Sequence, residues 1–406
     1  MLQMNEALRT EGAMRWTAVA AVVGSGIVSS LQIGKAMIAV PMLQADLGLD
    51  FGQLGWVTGI FALLGLFGGI PAGAVVAAVG DRRMLLLGLA ALAVGAAAGA
   101  CATTFAVLLG ARLIEGFGFL LITVAGPSIL QRIADPARRD IVFALWSCFM
   151  ATGMSIAMVA GPMLGGWRVI WASGAVLAVL AMVAAAMVIP VAMRTVAPSW
   201  RRLPGDVLTI LRTPGPVLLA VCFALYALMF FALFSFLPVL LMQRMQVGYG
   251  TAGLLSALAT AVNIVGNLTA GVLLSRGVPR AALIVTACGI MGVSALGIFL
   301  PVLPDTAAFL LCVLFSMIGG AIPATLLSTA PLLAPAAALV PVSVGLLMQG
   351  SNLGQAAGPV AVGGLIGSHG WPAAALLVAT AAVLAVITAL WLGGLFRRRG
   401  VAGRAM

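Results

Sequence analysis

The sequence predicts an all-α integral membrane protein with twelve transmembrane helices in two pseudo-symmetric six-helix bundles, and three observations carry that prediction. The 406 residues are 63% apolar and only 8% charged, whereas a soluble domain carries about 25% charged residues because polar surface must face water. Apolar runs recur along the whole chain, and a bilayer core about 30 Å thick takes about 20 helical residues per crossing. The 50 glycines sit among Leu, Val and Ala, where they let spanning helices approach closely.

In order, the first six spans read as Thr17 to Pro41, Leu54 to Ala78, Met84 to Ala102, Phe105 to Leu130, Ile141 to Gly165 and Val169 to Val191. The first run is longer than the h-region of a signal peptide and lacks a small-residue cleavage site, so it is expected to remain as a span. Ala192 to Gly215, with three prolines and four arginines, reads as a linker between bundles 1–191 and 216–406. The remaining spans are Val217 to Met242, Ala252 to Ser275, Ala281 to Val302, Ala307 to Leu332, Pro341 to Gly364 and Ala373 to Leu395.

The formal charge of +11 invites a nucleic-acid reading that the positions exclude. Seventeen arginines lie before the first span, in alternate loops and after the last span, while the opposite loops hold only Arg168 and Arg244. That asymmetry is the positive-inside pattern, so both termini are expected in the cytoplasm of a cell with this protein in its inner membrane. The five cysteines sit in or beside apolar runs with no CxxC or His-rich setting, and the single His369 lies in a short loop before Trp371. Neither a metal site nor a cofactor is expected, and a membrane enzyme would need a cluster of nucleophiles, ligands or acids that the chain does not have. Two unlike halves also argue against a symmetric pore.

Between the second and third spans comes GAVVAAVGDRRM, from Gly73 to Met84. It resembles the loop hallmark GxxxDRxGRR of the major facilitator superfamily: Gly73 and Gly80 keep the glycine spacing, and Arg82 and Arg83 supply the basic end. Ala77 stands where that family has its acidic residue, so the cytoplasmic latch implied by the resemblance is either weakened or remade by Asp81. The bland reading is an ordinary basic turn. The fourth span, ARLIEGFGFLLITVAGPSILQR, resembles the family's Arg-containing fourth-helix signature. GPMLGG at Gly161 to Gly166 resembles its GPxxGG signature, associated with exporters and antiporters, and GPVAVGG at Gly358 to Gly364 repeats it six spans later. Pro162 and Pro359 each remove a backbone donor, so a bend with close helix contact is expected there. The stretch from Ala125 to Met154 resembles the cyanate and nitrate-type permease branch more narrowly, which implies a small anion.

Three charges fall inside spans. Counted from Phe105 at 1.5 Å per residue, Arg112 lies about 10 Å and Glu115 about 15 Å into the membrane. A charge at such depth costs at least about 2.5–3.5 kcal/mol and normally faces a partner or a wetted path. Being three residues apart they share a helix face, so they either fasten the bundle as an ion pair or form a proton-responsive pair, with Glu115 as the proton-coupling residue. Lys35, about 9 Å before Pro41, either snorkels outward or adds a cation to a cavity whose balance favours a monoanion. The second half offers amides instead: Asn263 and Asn267 on one face, Asn352 and Gln355 on another, with Tyr226 amid phenylalanines. These are interhelical glue or solute contacts. Lys35, Arg112, Gln32, Tyr226, Asn263 and Asn352 are therefore the candidate substrate contacts, and Gly73, Gly80, Asp81, Arg82, Arg83, Gly161, Pro162, Gly358 and Pro359 the candidate gating positions.

No phosphate-binding GxxxxGK[ST] is present, so an ion gradient is the expected energy source. The resulting expectation is a monomeric secondary transporter moving a small organic or inorganic anion with protons by alternating access. Proton-driven efflux of a drug or metabolite is the alternative.

Overall fold

The computed structural model describes residues 2–135, 138–190, 203–336 and 339–398. All regular structure in them is helical. The first half contains α1 (Leu2–Ile38), α2 (Val40–Leu47), α3 (Phe51–Gly59), α4 (Leu63–Val79), α5 (Asp81–Ala100), α6 (Phe105–Ile133), α7 (Arg139–Ser147), α8 (Phe149–Ala160) and α9 (Trp167–Val188). The second contains α10 (Leu203–Leu211), α11 (Pro214–Phe234), α12 (Leu237–Met245), α13 (Tyr249–Ala261), α14 (Asn263–Ser275), α15 (Arg280–Phe299), α16 (Asp305–Gly319), α17 (Ala321–Leu333), α18 (Val340–His369) and α19 (Trp371–Arg398). The first part of the expected linker, 192–202, lies outside the described residues; its remainder is not a plain loop, since Leu203 to Leu211 coil into α10.

Among the described residues ten spans are long and apolar enough to cross a membrane, and α7 with α8 supplies an eleventh. Helix α18 completes the expected twelve. Its 30 residues reach about 45 Å at 1.5 Å per residue, but Gln349, Ser351, Asn352 and Gln355 make it more polar than the others. Its position explains why this is tolerated. It packs along α11 in its own bundle and along α3 and α4 of the other, so Ser351, Asn352 and Gln355 are buried. Gly350, Gly354 and Gly358 set α18 directly on the backbone of Ala220, Ala224 and Leu228 in α11. The side chains left exposed on outer helices, such as Phe67, Leu180, Leu376 and Trp391, are apolar, as a lipid-facing surface requires.

Two seams join the halves: α3 and α4 against α18, and α8 against α13. Each depends on glycine. A Cβ on Gly55 would strike the Pro359 carbonyl, and one on Gly253 would lie 2.6 Å from the Met158 carbonyl oxygen and 2.8 Å from the Pro162 ring. The seams also close at the end opposite the arginine-rich loops. There Tyr249 donates to the Ile38 carbonyl at 2.7 Å, and the Phe51 ring sits 5.8 Å from Phe236 and 6.2 Å from Trp371.

The two GP-containing segments differ from expectation and from each other. The fifth span bends by 42° between Ser147 and Phe149, not at Pro162. Gly161–Leu164 is instead a 3₁₀ turn, and Gly165 with φ of +77° ends the helix. A proline at the second position of such a turn lacks no bond that the turn would make. In α18 the helix runs through Pro359 without interruption and includes His369 as its last residue, so that histidine belongs to a helix end and not to a loop.

Candidate functional site

The three intramembrane charges form one cluster inside the first bundle. Lys35 comes from the last turn of α1, and Arg112 and Glu115 from one face of α6. The Lys35 ammonium donates to Glu115 Oε1 at 2.8 Å, and Arg112 Nη1 donates to Glu115 Oε2. All three residues have no exposed surface. Lys35 therefore does not snorkel: its stem carries the ammonium inward to the carboxylate. Arg112 spends further donors on backbone, Nε on the Val57 carbonyl at 3.0 Å and Nη1 on the Gln32 carbonyl at 2.8 Å. Gln32 Nε2 in turn donates to the Gly174 carbonyl of α9 at 3.1 Å. Aromatic faces complete the shell, Trp171 at 4.8 Å from Lys35 Nζ and Phe61 at 4.5 Å from the Arg112 guanidinium carbon.

Small residues make room for these side chains. A Cβ on Gly95 of α5 would lie 2.8 Å from the Glu115 side chain, and one on Gly174 would lie 2.7 Å from Gln32 Oε1 and 3.3 Å from Lys35 Nζ. Among the described residues the shell is not saturated: Gln32 Oε1, Arg112 Nη2 and Trp171 Nε1 are buried without a hydrogen-bond partner. Both cations are committed to Glu115, so in this conformation neither offers its charge to a solute. Sequence reasoning missed Val57, Phe61, Trp171, Gly95 and Gly174, because a backbone carbonyl, an aromatic face or a missing side chain leaves no polar signature.

The loop after the second span holds a second charged assembly. The backbone of α4 passes through Gly73, and Gly80, with φ of +94°, makes the turn into α5. Asp81 accepts from Arg132 Nε at 2.9 Å and Nη2 at 3.0 Å, while Arg82 reaches the Ala186 carbonyl at 2.5 Å. Asp81 thus ties α5 to α6 within the first bundle, with Arg82 reaching α9; Arg83 is exposed.

The second-bundle candidates do not join the charge cluster. Asn263 donates to the Ser316 carbonyl at 2.9 Å and interacts with Tyr226, which is buried beside Phe223 and Phe230. Asn352 bonds back to the Met348 carbonyl of its own helix at 2.9 Å and faces Gly65 of the other bundle. Asn267, one turn from Asn263, crosses to the Ser147 carbonyl at 3.4 Å.

This arrangement, two helical bundles meeting along a pair of seams, has counterparts among known proteins. A family model described as Major Facilitator Superfamily matches residues 22–343. The chain belongs to that superfamily. A chloramphenicol resistance protein of Streptomyces lividans is 31% identical over 223 residues, which are 52% of this chain and 55% of that protein. The multidrug export protein EmrB of Escherichia coli (strain K12) is 29% identical over 138 residues, 32% of this chain and 25% of that protein. The chain thus spans about a quarter to about half the length of these relatives. A bacterial homolog to the human lysosomal transporter Spinster, solved inward-facing and occupied, shares the superfamily fold with a TM-score of 0.72 over 97% of each chain, at 19% identity. Neither of the two sequence relatives is a cyanate or nitrate permease, so the narrower resemblance of residues 125–154 finds no support in them.

Proposed function

We propose that the protein is a proton-driven secondary transporter of the inner membrane that exports a small organic solute by alternating access, with its arginine-rich end in the cytoplasm. The observation that carries this reading is the sealed cluster of Lys35, Arg112 and Glu115. Charges held deep in a bundle are expensive and mark ion pathways, and cations already bonded to a carboxylate serve coupling better than substrate capture. Export is supported by the name of one relative, the multidrug export protein EmrB, and an organic solute by the name of the other, a chloramphenicol resistance protein; the arginine asymmetry supports the orientation. Flux in proteoliposomes tests it directly. With chloramphenicol as the probe, an imposed proton gradient should drive accumulation that a protonophore abolishes; gradient-independent flux removes the coupling.

A second reading keeps a small anion as substrate. It is favoured by one feature, the single surplus positive charge of two cations against one carboxylate. In the same vesicles, nitrate or cyanate uptake that is lost in both Lys35→Ala and Arg112→Ala would favour it over export of an organic solute.

A further inference from the structure

Counting charge in the sealed cluster separates the three groups by role. With all three ionised the cluster carries +1 in a site with no exposed surface. Protonating Glu115 raises this to +2 and sets two unpaired cations side by side. A guanidinium does not deprotonate in proteins. Loss of a proton from Lys35 is the one change that brings the cluster to neutrality, and it leaves the Arg112–Glu115 pair intact. From this geometry we infer that the proton-binding group of the first bundle is the Lys35 amine, with Glu115 remaining an ionised counter-ion throughout. The role of that proton in transport rests on the proposed coupling; its location does not.

Among the described residues, the charged groups acting on Lys35 are those of the cluster itself, Glu115 and Arg112. Facing Lys35, α6 presents Glu115 and Arg112, and α9 presents Trp171 and Gly174; α5 meets Glu115 through Gly95, and α8 packs Met154 and Ala157 against Gly34, the residue before Lys35. Several charged side chains of the contacting helices are engaged elsewhere: Asp46 of α2 with Arg168 of α9, Arg244 of α12 with Asp305, Asp81 of α5 with Arg132 of α6, and Arg139 of α7 with the Gln131 carbonyl. On release, an N–H bond of the ammonium breaks, the electron pair stays on nitrogen, and the proton passes to water on whichever side is open. The hydrogen bond to Glu115 is then lost as a charged contact. That matters for motion because Lys35 is one turn from Ile38, whose carbonyl receives the Tyr249 hydroxyl of the second bundle. The protonation site and the seal between bundles share the last turn of α1.

The test uses the full chain in lipid, with two readouts that need no substrate. The Trp171 ring lies 4.8 Å from Lys35 Nζ, so replacing an ammonium by a neutral amine changes its fluorescence. Titration from about pH 5 to about pH 10, spanning the carboxyl and amine ranges, should show a fluorescence step absent from Trp171→Phe, Lys35→Arg and Lys35→Met. Lys35→Arg keeps the cation and guards against a merely unfolded variant, which melting in the same lipid identifies. Infrared pH-difference spectra should contain no protonated-carboxyl band that Glu115→Gln removes. A step that persists in Lys35→Arg, the absence of any step in the wild type, or a Glu115-dependent carboxyl band each overturns the inference. A Lys35 titration accompanied by gradient-independent flux keeps the inference and removes the coupling reading instead.

Discussion

The two bundles solve the same packing problem with different chemistry. Beneath shared glycine-mediated helix contacts, the first bundle buries Lys35, Arg112 and Glu115, whereas among the described residues the polar groups buried in the second are neutral, such as Tyr226, Ser316, Asn352 and Gln355. A buried ion cluster is strongly destabilising when broken and not especially stabilising when intact. Neutral amide bonds in a membrane interior are cheap to lose. The difference teaches that breaking a polar contact should cost far more in the first bundle, where it strands a charge, than in the second, where it frees a neutral group.

The contrast predicts an ordered set of outcomes. Glu115→Ala strands two cations and should cost about 3–5 kcal/mol of stability, read as a large drop in melting temperature and in folded yield; a cost no greater than that of removing an amide from the second bundle would break the comparison. Asp81→Ala removes a carboxylate that receives two donors from Arg132, and should cost about 1.5–3 kcal/mol, the range for hydrogen bonds to charged groups. Because that pair lies within one bundle, its loss should lower the melting temperature without changing the distance between bundles measured by spin labels. Asn263→Leu should cost only about 0.6 kcal/mol in the same melts.

The smallest effect concerns the far end. Hydrogen bonds from Trp167 and then Arg168 hold the Asp46 carboxyl below its ordinary 3.8. A carboxylate with a lowered folded value stabilises above its unfolded value and loses that contribution as pH falls through the folded one. Asp46→Asn should therefore match the wild type in melting temperature only at pH values below 3.8 and melt slightly lower at neutral pH.

Much of the fold was legible because a bilayer imposes its thickness on every crossing. All twelve spans could be placed from apolar runs; what the sequence does not show is why α18 tolerates its amides, since its shielding by α3, α4 and α11 is a tertiary fact. Within the cluster, the face shared by Arg112 and Glu115 follows from their spacing along one helix. That Lys35 turns inward does not, because an unbranched amine four carbons from the backbone reaches either way and the choice belongs to Glu115 on another helix. The bend at Cys148 was equally hidden. Pro162 carried the visible signal for a kink, yet it falls where the helix already ends.

The contacts joining the halves are aimed largely at main-chain oxygens: Tyr249 at Ile38, Ser155 at Ala257, and the close approaches of Gly55 and Gly253 to Pro359 and Met158. A peptide oxygen is supplied by whatever amino acid occupies its position. Docking of this kind leaves many acceptor positions free to change identity while the joint survives, so the lining of a transport path in this scaffold can diversify toward new chemicals without renegotiating how the halves meet.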